Sequence, residues 1–152
     1  MPKPPPYNII YNWDGAPHGY SELPQSMDAF LEKVYAPMEN PQVGAHFWCI
    51  GEHAARWDSD VLELLGDVHG RRYENVQSYT FTENIRQMLE RGEDPQEALI
   101  ARGHELGLHV YASIRMNDNH FNGAQVSDLG TFHHTELTRM RIEHPEWVLG
   151  DQ

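Results

Sequence analysis

A helix that stops at a glycine and delivers the chain straight into an alternating strand constrains this sequence more than any other feature. Asp94 is placed to cap that helix, Pro95 takes its first position, and Glu97 follows three residues after the cap. Ala98, Leu99, Ala101 and Leu106 continue it, and Gly107 closes it. Residues 108–115 then alternate. Leu108, Val110, Ala112 and Ile114 fall on one face, and His109, Tyr111, Ser113 and Arg115 on the other. A helix feeding a strand in this way is the second half of a βαβ crossover, so it calls for an earlier, parallel strand. The apolar face suits a covering helix layer. The polar, bulky face suits the inside of a barrel near its functional mouth.

Earlier strands are legible upstream. Residues 7–12 form a β-rich run that ends in the turn signal Trp13-Asp14-Gly15. Residues 43–50 form a second run, with Phe47, Trp48 and Cys49 inside it. Between them Ser26 is placed to cap a helix with Phe30, Leu31, Val34, Tyr35 and Met38 on one face, ended by Pro37 and Pro41. Residues 51–79 show no period beyond a short apolar patch at Val61, Leu62, Leu64 and Leu65, which suggests a helical turn or two. Thr80 or Thr82 is expected to cap the next helix, which carries Ile85, Met88 and Leu89 and ends at Gly92. A helix is expected over 132–143, stopped by Pro145. Strands separated by helices imply an α/β chain with parallel pairing.

Composition excludes several functions. Asp and Glu outnumber Lys and Arg by 23 to 11, a net charge of −12, which repels phosphate backbones and argues against nucleic-acid binding. No stretch reaches the roughly 20 apolar residues of a membrane span. Cys49 is the sole cysteine, so no internal disulfide forms, and its place in a strand reads as buried and inert. The opening Met-Pro-Lys-Pro-Pro-Pro lacks the apolar centre of a secretory signal, and the cytoplasm is the expected location.

Several runs resemble one family. These are residues 9–14 as a first strand, Asp94-Pro95 opening a helix, Gly103-His104-Glu105-Leu106-Gly107-Leu108, Ser113-Ile114-Arg115-Met116-Asn117-Asp118-Asn119-His120, and His144-Pro145-Glu146-Trp147-Val148-Leu149-Gly150. Together they look like the N-terminal part of glycoside-hydrolase-like (β/α)8-barrel proteins, those described as glycosyl-hydrolase-like family 10. The resemblance implies an incomplete TIM barrel: roughly the first three to four βα units, in a single domain over 1–152. A closed barrel takes about 250 residues, so the chain is expected to be the first half of one. It further implies a carbohydrate substrate, hydrolysis of a glycosidic bond, no cofactor, and a catalytic part left incomplete in this chain. Open sheet edges would then favour self-association.

Barrel active sites lie at the C-terminal ends of the strands. There the sequence offers Asn12, Trp13 and Asp14, then Trp48 and Glu52, then Arg115, Asn117, Asp118 and His120. Sugar sites use planar hydrogen-bonding groups for hydroxyls and aromatic faces for the C–H side of the ring. Arg115, Asn117 and His120 are therefore expected to line the substrate pocket, with Asp14 and Trp48 beside them. Asp14, Glu52 and Asp118 are the candidate carboxyl groups for hydrolysis, and Asp118 is the one acid chosen. Each residue has a plainer alternative. Asp14-Gly15 serves as a turn, Trp48 packs a core, and Arg115 with Asp118 makes a structural ion pair.

The ten histidines raise a competing class, a metal-dependent hydrolase using Asp118, His120, His133 and His134 with His46 or His109. No His-x-His pair lies on the first strand, and adjacent His133 and His134 on a helix would point apart. The expected metal complement is therefore none. A non-catalytic carbohydrate-binding piece is the third reading.

Overall fold

In the computed structural model the described residues are 9–13, 19–20, 22–51, 54–68, 70–115, 125–128, 131 and 134–147. They form a mixed α/β structure. Strand β1 (Ile9–Trp13) is followed by helix α1 (Met27–Tyr35), β2 (Val43–Gly51), α2 (Val76–Glu90), α3 (Pro95–Glu105), β3 (His109–Ile114) and α4 (Arg139–Glu143), with short 3-10 turns between. The sheet order is β1-β2-β3, and both pairings are parallel.

The capping chemistry explains where the helices start. The Ser26 hydroxyl accepts from the Ala29 N–H, and the Asp94 carboxylate accepts from the N–H groups of Gln96 and Glu97. Both match the sequence expectation. Helix α2 differs, because its cap is Asn75, which accepts from the Ser78 N–H at 2.8 Å. Thr80 lies inside the helix and donates back to the Val76 carbonyl, and Thr82 is buried. At the end of α3 the backbone turns at Gly107, with φ of 76°. The Leu108 N–H returns to the Gly103 carbonyl at 2.9 Å, which launches β3.

The central strand β2 is covered on both sides, as expected for a parallel sheet. Its His46 and Trp48 face α1, where they meet Tyr35 and Phe30. Phe30, Val34, Ile85, Met88, Leu65 and Leu99 complete this core, and Tyr20 stacks on Phe30 at 4.6 Å. On the opposite side of the sheet Phe47 stacks on Tyr111 across the β2–β3 pair, 4.7 Å between ring centres.

Two segments differ from the sequence expectation. Residues 54–68 hold no helix. They are fixed by isolated bridges from Ala55 to Gly51 and to Leu64. The expected helix over 132–143 shortens to Arg139–Glu143, with Phe132 and His133 outside the described residues. The cause is competition for backbone donors. The Thr135 N–H goes to the Glu74 carboxylate and the Glu136 N–H to His134 Nδ1, and the helix starts at Arg139, whose N–H goes to the Glu63 carboxylate.

Candidate functional site

The register places the ends of all three strands at one edge. Trp13 pairs with Trp48, Cys49 with Ser113, and Gly51 with Ile114. In α/β barrels the C-terminal ends of the strands are where active sites lie. Beyond this edge, Asp14, Glu52, Asn117, Asp118 and His120 lie outside the described residues.

Arg115 is the one residue of the 115–120 run that is described. It is half-buried, and its N–H donates to the Gly51 carbonyl at 3.2 Å. That bond ties the start of the Arg115-Met116-Asn117-Asp118 run to the end of the neighbouring strand. Trp48 occupies a different environment from the pocket wall expected of it. Its indole is 1% exposed and lies among Trp13, Phe30 and His46, each at ring-centre distances of 5.7–5.9 Å. This is the core-packing alternative, and the ring offers no open face to a sugar. The reason is parity: on β2, Trp48 points toward α1.

An ion pair absent from the sequence reading lies behind the same edge. Arg56 donates to the Cys49 carbonyl at 3.4 Å and pairs with Glu136 at 3.3 Å. The Gln96 side chain, in the first turn of α3, donates to the Arg56 carbonyl at 3.3 Å. Both charged side chains are buried. The pair joins the end of β2, the start of α3 and the C-terminal segment. Eighty residues separate its members, so no local sequence pattern carries it.

Two further carboxylates organise the flanks. Burial alone would raise Glu83, yet hydrogen bonds from Arg71 and Tyr73 hold it below its ordinary value. Glu74 is likewise raised by burial and lowered more by Ser78 and Thr135, which keeps it ionised and clamps residue 135 onto α2.

Among the described residues no group of three or more His, Cys, Asp or Glu is arranged to hold a metal ion. His46 is fully buried against Tyr35, and His134 lies beside Glu74. His104 and His109 line an open cavity of about 370 Å³ at the opposite edge of the sheet, with Gly107, Leu108, Val110 and Tyr111. Among the described residues no helix is long and apolar enough to cross a membrane. No protein-family model and no curated protein matches the chain.

Proposed function

We propose that the chain holds a carbohydrate at the C-terminal edge of its parallel sheet, on a scaffold of the (β/α)8 glycoside-hydrolase-like kind. The reaction class is hydrolysis of a glycosidic bond. The observation that carries this reading is the common edge. Three parallel strands run the same way, so the segments bearing Asp14, Glu52 and residues 115–120 all start from one side of the sheet. An Arg, an Asn, a His and several carboxyl groups leaving one edge are the groups that bind sugar hydroxyls and protonate a leaving oxygen.

In this reading Arg115 contributes a planar donor from a backbone position tied to Gly51. Asn117 and His120 contribute further hydrogen bonds, and Asp118 is the acid. The buried Arg56–Glu136 pair lies behind β2 and holds the edge in shape.

Binding of soluble oligosaccharides by calorimetry tests the proposal. Arg115→Ala and Asp118→Ala are each expected to weaken binding at least tenfold, the size of one charge-assisted hydrogen bond of about 1.5–3 kcal/mol. Unchanged affinity in both variants would remove the assignment.

A further inference from the structure

The motif His144-Pro145-Glu146-Trp147 is not used by the site described above. Trp147 is 63% exposed, the most exposed aromatic ring among the described residues. It is nevertheless held in place. The His144 imidazole stacks on the indole with ring centres 4.0 Å apart and planes within 8°. His144 Nδ1 lies 3.1 Å from the Glu146 carboxylate, which fixes the imidazole in turn. The backbone closes the same unit, with His144 N–H donating to the Met140 carbonyl and Trp147 N–H to the His144 carbonyl. One indole face is thus backed by a parallel ring, while the residue as a whole stays 63% exposed.

We propose that Trp147, backed by His144, is a stacking platform for one pyranose ring of a carbohydrate. The proposal rests on the carbohydrate reading above and adds a second contact to it. A flat aromatic face carries negative π density, and the C–H face of a pyranose meets it with weakly positive hydrogens. The rim is polar, since Glu146 and His144 are both exposed beside the ring. The Glu146 carboxylate is held below its ordinary value by its own backbone N–H and by His144, so it stays ionised as an acceptor for ring hydroxyls. An apolar face with a hydrogen-bonding rim fits a neutral sugar better than a wholly apolar partner, and the net charge of −12 disfavours anions.

The test is calorimetric titration of cellohexaose, xylohexaose and maltohexaose into the wild type and into Trp147→Ala, Trp147→Tyr, His144→Ala and Arg115→Ala. For any sugar the wild type binds, Trp147→Ala is expected to lose at least fivefold in affinity. Trp147→Tyr should stay within about twofold, since a flat ring remains, and His144→Ala should fall between. Unchanged binding by Trp147→Ala, with loss in Arg115→Ala, overturns the platform and leaves the edge reading standing. Loss in Trp147→Ala with unchanged binding by Arg115→Ala supports the platform and moves the site away from the strand ends. A wild type that binds none of the three sugars overturns both.

Discussion

His46 Nδ1 lies 3.4 Å from Tyr35 Oη, and the Tyr35 hydroxyl gives its own proton to the Leu99 carbonyl at 2.6 Å. The phenol can therefore only accept from the imidazole, which assigns the His46 proton to Nδ1. His46 Nε2 is buried without a hydrogen-bond partner. A second proton there would be a buried charge, and burial lowers the His46 pKa from 6.5 to about 4. One relay thus joins β2, α1 and α3 and keeps the imidazole neutral.

That relay predicts an acid-sensitive stability. The unfolded chain takes up the His46 proton below about pH 6.5, whereas the folded chain resists it until about pH 4. The stabilisation is complete above pH 6.5 and declines as pH falls through this window. Between pH 7 and pH 5 the loss is about 2 kcal/mol. His46→Gln keeps a donor to Tyr35 but does not titrate, so urea unfolding should show about 2 kcal/mol less loss over the same interval. An identical pH slope in the variant would reject the relay. Glu74 and Glu83, held low, lose their stabilising effect chiefly below their ordinary value of 4.5, under most of the His46 window.

Gly103 predicts a packing effect. A Cβ built there would lie 2.4 Å from Val110 Cγ2 and 2.7 Å from Tyr35 Oη. Neither neighbour is free to yield, since Tyr35 bonds to Leu99 and Val110 lies on β3. Gly103→Ala should raise helix propensity yet destabilise the fold by about 1–3 kcal/mol through overpacking. A variant as stable as the wild type in chemical denaturation would show that α3 does not sit this close to the sheet.

The Arg56–Glu136 pair predicts strong coupling. Removing either partner takes a charge-assisted bond from a buried charge, so Arg56→Met and Glu136→Gln should each cost about 3 kcal/mol. The double variant removes both charges and should cost less than the sum by at least about 1 kcal/mol. Simple additivity in a denaturation cycle would mean that the pair contributes nothing as a pair.

The parts of the fold legible in the sequence are those set by local chemistry. Ser26 and Asp94 act as the caps their positions suggest, and Gly107 makes the turn into β3. Parallel pairing followed from helices alternating with strands. The parts that were not legible are held by distant side chains. Thr135 gives its N–H to Glu74, 61 residues away, so the helix expected around it does not form. Trp48 lies on a strand buried on both faces, which has no alternation to reveal which way its ring points. Strand ends were readable as a candidate site, but the ion pair supporting them was not.

The most direct test of the central claim is amide hydrogen exchange, measured with and without a saturating oligosaccharide. The account predicts slowed exchange at the ends of β1, β2 and β3 and in the residues that follow, 115–120 above all. It predicts no change at 104–108, beside the cavity on the opposite edge. Protection confined to 104–108, or none at any strand end, would contradict it.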